Sequence, residues 1–245
     1  MPSEPHQHDS SQSSNDGAPL APQDSWHQHY QWRVLQIGDD NGQRFLRTWS
    51  AWQDDPQRPH LLHFIGCMPE RLQPDQISAA TPAALQPFAA ALIEQCWGLL
   101  PGVHRLAFAH GRVLLTLYVG DPQSMLRQQT PLADRVYLPG LTEARADAHL
   151  LKAIARCCRR GTTLHTASSR PELTALLKQC GFELPDAITP SDAPLTAQFN
   201  PRWEPRPVRE ALPDASVPRP GSCMVIGAGL AGSACAASLA RRGWR

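Results

Sequence analysis

Gly227, Gly229 and Gly232 close the run Ser222-Cys-Met-Val-Ile-Gly-Ala-Gly-Leu-Ala-Gly232, where a short apolar segment leads into closely spaced glycines. Each glycine has a mechanical role in a nucleotide fingerprint. The first permits a tight turn, the second lets backbone approach a pyrophosphate, and the third lets helix pack on strand. Ser233 to Arg242 follows with a helical pattern, whose N-terminus would offer free N–H groups and a positive dipole end to phosphates. The acid that grips the ribose is expected about twenty residues further on, but the sequence stops at Arg245. One strand and one helix bury no core. Residues 222–245 therefore read as the truncated opening of a nucleotide-binding domain, and any activity of this chain alone is expected upstream.

Other reactive residues form no comparable set. His27, His29, His60 and His63 have no acid or cysteine at ligand spacing, so packing or surface roles are expected and no metal. Ser168 and Ser169 lack the Gly-x-Ser-x-Gly setting of a hydrolase nucleophile. The seven cysteines include no Cys-x-x-Cys pair. An odd number without a signal peptide reads as free thiols in a reducing cytoplasm, and Cys96 and Cys180 fall at apolar helical positions suited to a core. Trp26, Trp32, Trp49, Trp52 and Trp97 could stack on bases. Trp97 lies on an apolar helical stripe, so packing is expected of most of them. Arg156, Arg159 and Arg160 cluster at an expected helix end, where cations suit the dipole.

The elements that must position these residues alternate. Trp32 to Ile37, Leu61 to Ile65, Arg135 to Leu138 and Thr162 to Ala167 read as strands, and Val103 to Phe108 with Arg112 to Val119 as a hairpin turning at Gly111. Phe45 to Trp52, Pro82 to Trp97, Ala144 to Cys158 and Pro171 to Cys180 carry helical periodicity. Strands separated by helices predict an α/β fold with a doubly wound, mostly parallel sheet. Its ligands bind at the carboxyl ends of the strands, which singles out the loops after Ile37, Ile65, Val119 and Leu138. Residues 1–30 read as a disordered tail, 31–184 as the first domain and 185–221 as a proline-rich linker. Hydrophobic content of 42% suffices for a core, and a net charge of +1 makes no argument for nucleic acid by itself. No apolar run nears the roughly 18 residues of a membrane span, so a cytoplasmic monomer away from membranes is expected. All the basic residues except Lys152 and Lys178 are arginine, which reads as coding bias.

This order of elements resembles the bifunctional tRNA 5-methylaminomethyl-2-thiouridine biosynthesis family, MnmC. There an S-adenosylmethionine-dependent methyltransferase domain is joined by a linker to an FAD-dependent oxidoreductase domain. The matching stretches are Phe45-Leu with Trp49 and Trp52, Leu62-His-Phe-Ile, Leu100-Pro-Gly-Val-His-Arg-Leu, Gly111-Arg-Val with Gly120-Asp121, Leu176 to Phe182, and the glycine run after Ile226. The resemblance implies a class I methyltransferase-like Rossmann fold followed by the start of an FAD-binding one. It implies tRNA as partner and wobble-uridine modification as function: the flavin half removes a carboxymethyl group, and the other half methylates the exposed amine. By resemblance, Gly38, Gly42 and Asp121 would contact S-adenosylmethionine, and Gly227, Gly229 and Gly232 the FAD pyrophosphate.

Four residues, at three places, depart from the family pattern. The family's first loop, Glu-Thr-Gly-Phe-Gly-Thr-Gly, aligns with Gln36-Ile-Gly-Asp-Asp-Asn-Gly42, so the acid is Gln36 and the middle glycine Asp40. After the second strand Met68 stands where the family has an acid, and Pro139 occupies the place of the catalytic Asp. Proline offers neither carboxylate nor N–H. Together they predict a domain that keeps the fold and has lost methyl transfer. It would serve wobble-uridine modification through its flavin partner, or act as an inactive tRNA-docking or structural module for it.

Overall fold

Short runs rich in valine, leucine and isoleucine, each closed by a glycine, proline or polar turn, fold into strands. The computed structural model describes residues 23–129, 131–138, 148–185, 194–204 and 221–245. Strands β1 (Gln31–Ile37), β2 (Leu61–Met68), β3 (Gly102–Phe108), β4 (Val113–Val119), β5 (Ala133–Leu138), β6 (Cys158–Thr166), β7 (Phe182–Glu183) and β8 (Leu195–Phe199) share one sheet. Its order is β3-β4-β2-β1-β5-β6-β8-β7. β1 pairs in parallel with both β2 and β5, β2 with β4, and β5 with β6. The expected hairpin is present as β3 antiparallel on β4, while β8 and β7 close the other side antiparallel. The chain leaves β1 toward β2 and β4, then returns to β1's other side as β5. That reversal opens a crevice at the carboxyl ends of β1 and β5, the usual ligand position in such sheets.

Every residue of β4 and β5 is buried, as in strands covered on both faces. One face carries α1 (Gln43–Asp54), α2 (Pro74–Ala80) and α3 (Gln86–Gln95), whose Phe45, Ile77 and Leu92 join Val34, Phe64 and Tyr137 in one apolar layer. Phe45 and Trp49 meet Phe64 and Phe108 there, with ring centroids 4.8 Å (Trp49–Phe108) to 5.5 Å (Phe45–Phe64) apart. The other face carries α4 (Pro122–Gln128), α5 (Ala148–Arg156) and α6 (Pro171–Gln179), with Leu126, Ile154 and Leu177 against Leu35, Val136 and Leu164. Each such side chain contributes on the order of 1.5–3 kcal/mol by leaving water.

Three expectations change. The helix expected over Pro82 to Trp97 is a 3-10 turn (Ala83–Leu85) followed by α3, which begins at Gln86 because Pro87 has no N–H to give to an earlier turn. α3 ends at Gln95, and the indole of Trp97 is 83% exposed instead of in the core. The linker expected over 185–221 contains β8, whose Leu195, Ala197 and Phe199 are buried between β6 and β7. Ser222 to Ile226 joins no sheet: Cys223 donates its N–H to the Arg245 carbonyl at 2.7 Å, and Met224 and Ile226 are exposed. It runs into the final helix, α7 (Leu230–Arg241). The helix expected from Ala144 begins at Ala148 among the described residues, and Pro139, Gly140 and Leu141 lie outside them.

Candidate functional site at the carboxyl edge

The backbone of the loops after β1 and β4 is tied to β2 between them. Gly38 donates its N–H to the Cys67 carbonyl at 2.8 Å, and Gly120 donates to Met68 at 2.9 Å. The first loop then winds into α1 through Gly42, at φ +75°, where a side chain would be strained and its Cβ would lie 3.3 Å from Leu92. Gly38 and Gly42 thus stand at the crevice in the loop that precedes α1.

Two acids finish that loop from within. Asp39 accepts the Asn41 N–H at 2.8 Å, and Asp40 accepts the Arg44 N–H, one of the free donors of α1's first turn, at 3.0 Å. An anionic ligand at a helix N-terminus would use such a donor. Asp40 therefore supplies, from the chain itself, an anion at the start of α1. Partial desolvation pushes the Asp39 carboxyl above its ordinary value, an effect the Asn41 hydrogen bond offsets in part and the charge of Asp40 reinforces.

The remaining positions are occupied by core and capping groups. Met68 is buried in the apolar layer beneath the second loop. Asp121 caps α4 by accepting the Ser124 N–H at 2.8 Å, and its hydrogen bonds with Ser124 hold its carboxyl below the usual range. Gln36 is buried and its amide reaches back to the Gly38 carbonyl at 3.4 Å. Gln36, Met68 and Pro139 carry no carboxylate, and Pro139 lies outside the described residues.

A polar row missed at the sequence level crosses the sheet one residue before the strands end. Gln36 of β1 is in register with Tyr137 of β5, Tyr137 with His165 of β6, and His165 with Thr196 of β8. Arg44, from the first turn of α1, sets its guanidinium over the Tyr137 ring at 4.2 Å, and His165 stacks beside the same ring at 5.3 Å between centroids. The Thr196 hydroxyl meets His165 Nδ1 at 3.0 Å. Burial, with the charges of Arg135 and Arg44, pushes the His165 imidazole down to about 4, so it is neutral near pH 7. No local pattern announces this row, because its members come from four separate elements.

The glycine run after Ile226 leads into the last helix. Gly229 precedes α7, and a Cβ on Gly232 would lie 2.0 Å from the Gly227 carbonyl oxygen, the close approach that only glycine allows. The far end of α7 touches the first domain at the edge opposite the crevice. The Tyr30 hydroxyl donates to the Arg242 carbonyl at 2.6 Å, and Arg241 packs against Gly111.

The arginines and cysteines beyond the crevice act structurally. Arg159 pairs with Asp134, and Arg160 donates to Asn200 and to the Pro201 and Trp203 carbonyls, tying β6 to the chain after β8. Cys67, Cys157, Cys158 and Cys180 are buried free thiols, whereas Cys96 is only half-buried. Trp26, Trp32, Trp49 and Trp52 are all buried. Among the described residues no helix is long and apolar enough to cross a membrane.

Comparison with known proteins agrees with the topology. Residues 83–188 match a family model described as S-adenosyl-L-methionine-dependent methyltransferase. The crystal structure of MNMC2 from Aquifex aeolicus superposes with a TM-score of 0.54 at 16% identity, over 72% of this chain and 57% of that one. The fold is a mostly parallel, Rossmann-like methyltransferase fold of class I. The chain is also 51% identical, over 90% of its length, to the tRNA 5-methylaminomethyl-2-thiouridine biosynthesis bifunctional protein MnmC of Paracidovorax citrulli, and 46% identical to that of Delftia acidovorans. It belongs to the MnmC family and corresponds to the methyltransferase part. It spans 36% of the first relative's length and 35% of the second's.

Proposed function

We propose that this unit is the methyltransferase-like part of a protein that modifies the wobble uridine of tRNA, and that its own methyl transfer is degenerate. The observation that carries the reading is the loop before α1. Asp40 takes up a helix N–H that an anionic ligand would use, while Gln36, Met68 and Pro139 remove the three carboxylates of the family pattern. FAD and the oxidative step belong, on this reading, to the larger remainder of a full-length member, with Gly227, Gly229 and Gly232 at its pyrophosphate. The Tyr30–Arg242 hydrogen bond and the packing of Arg241 on Gly111 favour a second role as a structural module for that partner.

The test is methyl transfer from labelled S-adenosylmethionine to tRNA carrying a 5-aminomethyl wobble uridine. The reading expects no label above background, alongside measurable tRNA binding. Turnover comparable to that of a relative retaining all three acids would contradict it.

A further inference from the structure

Four polar side chains form a second row on the sheet, toward the amino ends of its parallel strands. Arg33 of β1 is in register with His63 of β2, His63 Nε2 meets the Thr116 hydroxyl of β4 at 2.9 Å, and Thr116 is in register with Arg105 of β3. Alternation along β1 puts Arg33 on the side of Leu35 and Ile37, the face that carries α4, α5 and α6. The end of α7 meets the same corner, where the Tyr30 hydroxyl holds the Arg242 carbonyl at 2.6 Å. Burial first, then the charges of Arg105, Arg33 and Arg242, pushes the His63 imidazole down to about 3. Three cations thus gather around a ring that is itself neutral near pH 7.

The chain supplies little to balance them. Asp134, on β5 beside Arg33, is already taken: it accepts the Arg33 backbone N–H at 2.7 Å and pairs with Arg159. The Arg33 guanidinium reaches neutral oxygens, the Leu132 carbonyl at 3.4 Å and the Gln31 side chain at 3.3 Å, and burial pulls it below its usual value. Arg105 is exposed, and among the described residues its guanidinium and that of Arg242 make neither hydrogen bond nor ion pair. The whole chain carries a net charge of only +1, so the row is a local concentration of like charge. A bound anion removes the repulsion within it.

The spacing selects the anion. In the order β3-β4-β2-β1, Arg105 and Arg33 are three strand spacings apart, about 14 Å between backbones. One small ion cannot neutralise charges so spread, whereas an RNA backbone carries charges at regular intervals. Tyr30 and His60, stacked at 4.8 Å between ring centroids at the same corner, add aromatic surface to the cations, the combination that grooves for single strands use. We propose that Arg33, Arg105 and Arg242 form a phosphate-contact row for an RNA strand, on a sheet face away from the crevice and completed by the end of α7. The proposal rests on the reading of tRNA as partner and adds a place where that RNA lies.

Binding of a tRNA transcript to the full 245-residue chain tests it, measured as a function of salt for the wild type, Arg105→Gln and Arg242→Gln. Lys178→Gln, at the exposed end of α6 across the sheet, is the control for overall charge. Each row variant is expected to weaken binding roughly fivefold and to lower the salt slope by about one, while the control changes neither. An unrelated RNA hairpin should lose the same factor, because phosphate contacts carry no sequence information. Arg105 is exposed, so its variant reads the row without disturbing the core. Undiminished binding with an unchanged slope in both row variants overturns the row and leaves tRNA as partner. A wild type that binds no tRNA overturns the row and that reading together. An equal loss in Lys178→Gln reduces the row to diffuse charge and overturns it. An oligoglutamate peptide that loses affinity in the row variants while RNA does not assigns the row to an acidic polypeptide and contradicts RNA contact.

Discussion

Asp40 and Gly42 divide the work of the first loop between charge and conformation. Asp40 satisfies an α1 donor, and Gly42 makes the left-handed turn that lets α1 start against Leu92. Gly42→Ala is expected to lower stability by about 1–2 kcal/mol, read from urea midpoints, because an L-residue pays that much for the left-handed region. His63 shows what burial does to a titrating group away from the site. Burial first, then the charges of Arg105, Arg33 and Arg242, pushes its imidazole down to about 3, while it hydrogen-bonds Thr116 at 2.9 Å. The unfolded chain therefore takes up the proton near its ordinary value of 6.5 and the folded protein does not. The contribution of His63 is complete above that value and is lost as pH falls from it toward about 3. Denaturant titrations across this window should show His63→Gln losing about one proton's worth of slope relative to the wild type. An unchanged slope would mean that His63 is accessible to protonation in the fold.

At the scale of elements, the sheet's edges hold the surprises. α1, the β3–β4 hairpin and the parallel centre were legible, because Phe45, Trp49 and Trp52 recur at helical spacing and Leu114 to Val119 is apolar except for Thr116 and lies next to a glycine turn. β8 was hidden among prolines and is only five residues long, with period-two burial that a proline-rich surround disguises. Trp97 continues an apolar stripe in sequence, yet the helix stops before it, at a Cys96 whose backbone leaves the helical region and a Gly98 at φ +62°. The crevice loops could be located from strand order alone. The Arg44–Tyr137–His165 stack could not, since Gln36, Tyr137 and His165 become neighbours only through parallel register. β8 is expected to be integral to this fold. Phe199→Ala, which empties a buried ring site beside Phe182, should cost about 3–5 kcal/mol. Hydrogen exchange should then release the β6 and β8 amides together, whereas loss confined to β8 would make it an appended strand.

For the whole molecule, the sequence comparison and the site chemistry point in different directions, and the difference is informative. Half of the residues are shared with bifunctional MnmC proteins over nearly the whole chain, and the topology of the methyltransferase fold is intact. A fold held by two apolar layers depends little on which polar residues stand at its carboxyl edge. The contact of α7 at the opposite edge leaves the crevice free for a ligand of its own.

The central claim is that this scaffold no longer holds the methyl donor as its family does. Equilibrium dialysis of the purified chain against labelled S-adenosylmethionine tests it most directly, with Asp40→Gly as the paired variant. The account predicts no stoichiometric binding to the wild type at micromolar donor, and a gain of affinity on Asp40→Gly as the α1 N–H is released. Stoichiometric, tight binding to the wild type would contradict it.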